Sequence, residues 1–124
     1  MSVSISRQSD YLIASIVSDL SDSQVAALRT ELLERVGVLR ARGIVIDVGN
    51  LDVIDSFVAR SLRSVALTAK LRGAETVVVG IQPDVAIAMV QFDLDLGPIH
   101  AALDLDEAFS LLERWIEGNR EDER

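Results

Sequence analysis

The stretch GIVIDVGNLDVIDSFV, residues 43–58, decides the fold. Ile44, Val45, Ile46 and Val48 form a nearly continuous β-branched run that only Asp47 interrupts. A strand with one wet face alternates apolar and polar residues. A run without alternation suits a strand covered on both faces, as in a parallel sheet. Gly49, Asn50, Leu51 and Asp52 then read as a loop. Either Asp55 or Ser56 can cap the helix that follows, because each offers an oxygen to unpaired backbone N–H groups. That helix is expected over 56–72, with Val58, Leu62, Val65 and Ala69 inward and Gly73 at its end.

Outward from this unit the same alternation continues. Upstream, Val3 and Ile5 alternate with serines, and 11–17 is a stronger strand candidate. Arg7, Gln8, Ser9 and Asp10 between them read as a hairpin turn. A polar connection leads to a helix over 23–42, on which Val25, Leu28, Leu32, Val36 and Leu39 fall three or four apart. Gly43 reads as its C-terminal cap. Downstream, 76–80 is a second buried strand, and Pro83 suits the first turn of a short helix ending near Phe92. A last short strand is expected at 98–100. Asp104 and Glu107 resemble a capping box, ahead of a helix with Ala108, Leu111, Leu112 and Trp115 inward. The order β-β-α-β-α-β-α-β-α predicts an α/β fold, a mixed sheet with a parallel centre packed by about four helices. The 124 residues suit one domain, expected over 1–117, followed by a charged and frayed tail over 118–124.

Composition removes several classes of function. Twenty acidic against 12 basic residues leave a net charge of −8. Such a surface repels phosphates, so neither nucleic acid nor an anionic membrane is an expected partner. The absence of cysteine excludes disulfides, zinc–thiolate sites and a cysteine nucleophile. No apolar run has the length of a membrane span, and residues 1–10 lack the apolar core of a secretory leader, so a cytoplasmic location is expected.

Catalytic patterns are missing as well. The seven glycines are scattered and form no phosphate loop. His100 is the lone histidine, and a metal site needs several convergent ligands. Ser56 has no G-x-S-x-G elbow and no histidine or lysine beside it. Asp47, Asp52 and Asp55 cluster at the C-terminal edge of the strand, where open α/β sheets usually carry their sites. They read either as a magnesium or general-acid site or, more simply, as loop acids and a helix cap. Asp93, Asp95, Asp104 and Asp106 read as loop and cap chemistry. No enzyme activity, cofactor or metal is expected.

Ser56 has a further property. A phosphate there would add about −1.5 to −2 charges at a helix N-terminus. The helix dipole and free N–H groups favour an anion at that end, so the fold would accept it. Asp52 and Asp55 would stand close by, so the local potential would change sharply without rearrangement.

The segments 43–48, 52–57, 79–83, 85–87 and 102–105 together resemble the RsbS family of STAS-domain proteins in residues and spacing. The likeness covers roughly 3–116. Ile54-Asp55-Ser56-Phe57 with Gly80-Ile81-Gln82-Pro83 narrows it to that family and its RsbR paralogues. It implies a non-catalytic stressosome scaffold that regulates the general stress response, phosphorylated at Ser56 by an RsbT-like serine kinase and reset by an RsbX-like phosphatase. It implies co-assembly with RsbR-like STAS sensor proteins as a homo- and hetero-oligomer. On phosphorylation the kinase leaves to activate the phosphatase RsbU. RsbR proteins carry an N-terminal sensor domain for which this chain has no room, so the S-type is expected. Asp55, Phe57, Arg60, Gln82 and Pro83 are the candidate partner contacts. Gln82 and Pro83 are equally readable as a cap and a helix start, and Phe57 as core or surface anchor. Two further readings are an anti-anti-sigma factor that binds an anti-sigma kinase directly, and a module that binds a small ligand or nucleotide.

Overall fold

A computed structural model describes residues 3–122, with side chains through residue 118. Its elements are β1 (Val3–Gln8), β2 (Tyr11–Ile16), α1 (Asp22–Leu39), β3 (Gly43–Asp47), α2 (Ser56–Leu71), β4 (Glu75–Val79), α3 (Pro83–Gln91), β5 (His100–Ala102) and α4 (Leu105–Asp122). The strands form one sheet in chain order, so the β-branched run of β3 is its central strand. β1 pairs antiparallel with β2, and every later pair is parallel. The expected mixed sheet with a parallel centre and four helices is what forms.

The strand period of two divides the core into two layers. Leu12, Ile44 and Thr76 stand in register, as do Ala14, Ile46 and Val78. The apolar members of these rows pack with Leu28, Leu32 and Val36 of α1, Leu62 and Val65 of α2, and Val85 and Met89 of α3. The intervening row, Ile13, Val45 and Val77, faces the other way and packs against Ala108 and Leu112 of α4. Burial on both faces is why β3 carries no alternation. Tyr11 stacks on Phe109 of α4 with ring centroids 5.7 Å apart. Its own burial, with Glu113 and Asp10 adding to it and Arg42 opposing, raises the Tyr11 hydroxyl above its ordinary pKa.

Several local expectations shift. The helix predicted over 23–42 starts earlier and ends sooner. Ser21 is its N-cap, and Ser21 and Gln24 form a complete capping box. Arg40, in the left-handed region at φ 51°, takes the C-cap, and its N–H donates to the Val36 carbonyl. Gly43 is therefore not the cap. It opens β3, where an added Cβ would lie 2.8 Å from Leu112 Cδ1 and 3.0 Å from Tyr11 Cδ1. The glycine serves close packing of α4 on the sheet. The last strand lies at His100–Ala102 rather than 98–100, because its pairing with Val77–Val79 on β4 sets the register. α4 continues through Gly118 to Asp122, where the charge run predicts a tail. Residues 123–124 of that tail lie outside the described residues.

Among the described residues one buried side-chain polar atom has no partner. Thr76 is 1% exposed on the layer facing α1 and α2, and its Oγ1 makes no hydrogen bond. An unpaired buried hydroxyl costs roughly 1–3 kcal/mol. Thr76→Val keeps the shape and removes that cost, so its melting temperature is expected to equal or exceed that of the wild type. A clear fall in a thermal melt would mean that the hydroxyl has a partner in solution.

Candidate functional site

The loop between β3 and α2 carries the candidate site, and its own sequence explains how it is held. Leu51 and Ile54 are 3% and 5% exposed and plug into the main core. Asp52, Val53, Asp55 and Ser56 between and after them point to solvent. Three polar anchors fix the backbone. Asp47 Oδ1 accepts from the Gly49 N–H at 2.9 Å. Asp19 Oδ1 accepts from the Asp52 N–H at 3.2 Å, which ties the loop to the β2–α1 connection. Gln82 Nε2 donates to the Gly49 carbonyl at 2.9 Å, which ties it to the β4–α3 connection. Because β3 and β4 are parallel neighbours, these two connections emerge side by side at the same sheet edge.

The cap left open between Asp55 and Ser56 is Asp55. Its Oδ1 accepts from the Val58 N–H at 2.8 Å, so Ser56 is the first helical residue of α2. The Ser56 side chain is exposed, and its hydroxyl makes none of the hydrogen bonds that hold the loop. It lies at a helix N-terminus whose first N–H groups favour an added anion. Arg60, one turn on, donates from Nε to the Ser56 carbonyl at 3.3 Å.

The other candidates sort by position. Phe57 is half-buried, between the core and surface readings. Gln82 holds the N-cap position of α3 by its backbone, but its side chain makes no cap hydrogen bond and bridges the two loops instead. Pro83 is exposed in the first turn of α3. Asp55, Ser56 and Phe57 are consecutive with Arg60 a turn beyond, and Gln82 meets the start of the same loop through Gly49. The three aspartates do not converge. Asp47 and Asp55 each hold a different backbone N–H, and among the described residues no three His, Asp or Glu side chains gather to hold a metal ion. His100 sits on the edge strand, with Nε2 3.2 Å from Oε1 of the buried Glu75. Among the described residues no helix is long and apolar enough to cross a membrane.

One surface comes together only in the fold. Ser56 shares a groove of about 470 Å³ with Val53, Phe92 and Leu94, flanked by Asp52, Asp55 and Asp84. Phe92 was legible only as a helix end; that its ring stands 74% exposed beside Ser56 depends on how α3 is placed.

A family model for the STAS domain matches residues 2–108. The chain is 33% identical to a variant of RsbS from Moorella thermoacetica, with a TM-score of 0.79 over 93% of this chain and 97% of that one. It is 31% identical to a chain from the molecular architecture of the stressosome, a signal integration and transduction hub, with a TM-score of 0.71 over 91% of this chain and 98% of that one. The RsbT co-antagonist protein RsbRD of Bacillus subtilis (strain 168) is 24% identical over 98 residues, which is 79% of this chain. The matched segment is 35% of that curated relative's length.

Proposed function

The chain belongs to the STAS domain family, and on that premise we propose that it is a non-catalytic stressosome scaffold that sequesters an RsbT-type serine kinase and is switched by phosphorylation of Ser56. One observation carries this reading. The fold holds its β3–α2 loop by buried apolar plugs and three separate hydrogen bonds, yet leaves the Ser56 hydroxyl exposed and uncommitted. A serine presented this way is open to another enzyme, and it lacks the neighbouring base that would make it a catalytic nucleophile of this chain. The charged side chains that share its groove are carboxylates, Arg60 bonds its carbonyl, and no histidine or lysine is among those residues.

Likeness to RsbS and to a stressosome chain supports such an assembly, and likeness to RsbRD supports RsbR-like co-subunits. An RsbX-like phosphatase is the proposed reset. The proposed setting is the cytoplasm, as homo- and hetero-oligomers that regulate the general stress response. Phe57 and Arg60 beside the acceptor serine form part of the proposed kinase contact. Gln82 and Pro83 act on it mainly by holding the loop and starting α3.

The test is retention of the kinase. Unphosphorylated chain immobilised on a resin is expected to hold the RsbT-type kinase of the same genome, and chain phosphorylated at Ser56 to release at least about tenfold more of it. Equal retention by both forms would sink the switch. An anti-anti-sigma role shares Ser56 but not the assembly. Mixed with RsbR-type proteins, the scaffold is expected to sediment as large particles, and the alternative as small complexes.

A further inference from the structure

Phe92 is an aromatic ring that the fold does not use. It directly follows α3 and is 74% exposed. Across the groove, Val53 of the Ser56 loop is 61% exposed. With Leu94 they give the groove beside Ser56 an apolar lining over the buried Ile54 and Val85, and the carboxylates of Asp52, Asp55 and Asp84 line it too. Exposed apolar surface with a polar rim marks an interaction site rather than a core defect.

We propose that this groove seats a basic side chain flanked by apolar ones, presented by the kinase that phosphorylates Ser56, with Phe92 as the apolar anchor. The inference rests on the scaffold reading above and names the partner's chemistry at that site. A Lys or Arg fits both features at once, because its methylene stem lies along apolar surface while its head meets carboxylates. A guanidinium also stacks on an aromatic face. A second copy of this chain is the poorer occupant, since it carries a net charge of −8 and, in a two-fold contact through this face, would set the same three rim acids against each other. Continuity with Ser56 favours the kinase, which must cover this surface to reach the hydroxyl.

Asp84 lies in α3 and Phe92 at its end, not on the Ser56 loop, so docking can be varied with the phosphoacceptor intact. The experiment measures the dissociation constant of the full chain for the RsbT-type kinase, in low and moderate salt, after a melting curve for each variant. Phe92→Ala is expected to weaken binding at least about tenfold, as truncation of an aromatic hot spot does. Asp84→Lys, on the exposed first turn of α3, is expected to weaken it too and to reduce its salt dependence. Leu71→Glu, 88% exposed at the far end of α2, is expected to stay within about twofold of the wild type. Wild-type affinity in both Phe92→Ala and Asp84→Lys would overturn the docking assignment while leaving the scaffold reading standing. Absence of any binding by the wild type would remove the scaffold reading and the docking site with it. Changed sedimentation of the Phe92→Ala chain alone, with unaltered kinase affinity, would assign the groove to self-association and overturn the proposal. Should Phe92→Ala fail to fold, Asp84→Lys alone decides.

Discussion

Incubated with ATP and an RsbT-type kinase, the wild-type chain is expected to gain the mass of one phosphate and Ser56→Ala none. The comparison is clean because the substitution removes chemistry without removing structure. The hydroxyl is exposed and holds nothing, and the cap of α2 is Asp55. Alanine also favours the helix more than serine does. Ser56→Ala should therefore melt within about 0.5 kcal/mol of the wild type. Asp55→Ala, which deletes the Val58 N–H acceptor, should lose about 1 kcal/mol. Neighbouring hydroxyls are poor substitutes, since Ser61 is 4% exposed and Ser64 is half-buried. One phosphate on Ser56→Ala at the wild-type rate would move the acceptor elsewhere. No phosphate on either chain, from a kinase active on another substrate, would remove the switch.

The consequence of that phosphate is electrostatic. About −1.5 to −2 charges arrive at a helix N-terminus that tolerates them. They also arrive beside Asp52, Asp55 and Asp84, on the rim of the groove that holds Val53 and Phe92. The loop is pinned by Leu51, Ile54 and three hydrogen bonds, so the potential changes while the shape need not. A basic side chain in the groove would be drawn more strongly by that charge, so the proposed release of the kinase rests on the bulk of the phosphate and on its repulsion of the nucleotide phosphates held opposite the hydroxyl.

How far a sequence reveals such a site depends on whether the cause is local. The run from Ile44 to Val48 announces a strand covered on both faces because that coverage removes polar residues from the strand itself. That a cap lies at Asp55 or Ser56 is legible for the same reason, since a cap acts on a backbone N–H close by in the chain, and the Val58 N–H contact then selects Asp55. Gly43 defeats local reading. A glycine after a helical stretch looks like a cap, but its neighbours are Tyr11 and Leu112, which come from different elements. Gln82 behaves alike: beside Pro83 it reads as a cap, and its amide instead crosses to Gly49 because β3 and β4 are adjacent. Ser21 is a different case, for Ser21 and Gln24 carry a local signal that apolar spacing alone, starting the helix at residue 23, overlooks.

Leu112→Ala is expected to cost about 3 kcal/mol, and adding Gly43→Ala is expected to cost less than the separate effects combined. Leu112 is 1% exposed and, with Ala108, forms the contact through which α4 covers Ile13, Val45 and Val77. Truncating a leucine so placed leaves a cavity as well as lost transfer energy, typically 2–5 kcal/mol. Alone, Gly43→Ala places a methyl 2.8 Å and 3.0 Å from the two δ-carbons of Leu112 and 3.0 Å from Tyr11 Cδ1. Overpacking of that kind costs about 1–3 kcal/mol. Reduced freedom of the unfolded chain returns about 0.4–1 kcal/mol. The clash is the larger effect, so the single variant is destabilised by about 1 kcal/mol. In the Leu112→Ala background both δ-carbons are gone, and the new methyl enters the vacated space. A coupling of about 1 kcal/mol or more in urea melts of the four chains would show that Gly43 exists for the α4 contact. Strict additivity would mean that the glycine answers to the Tyr11 ring instead. Because α4 packs on the sheet face opposite α1, α2 and α3, each of these chains that remains folded should still take its phosphate on Ser56, leaving the stability of the second layer separable from the switch on the first.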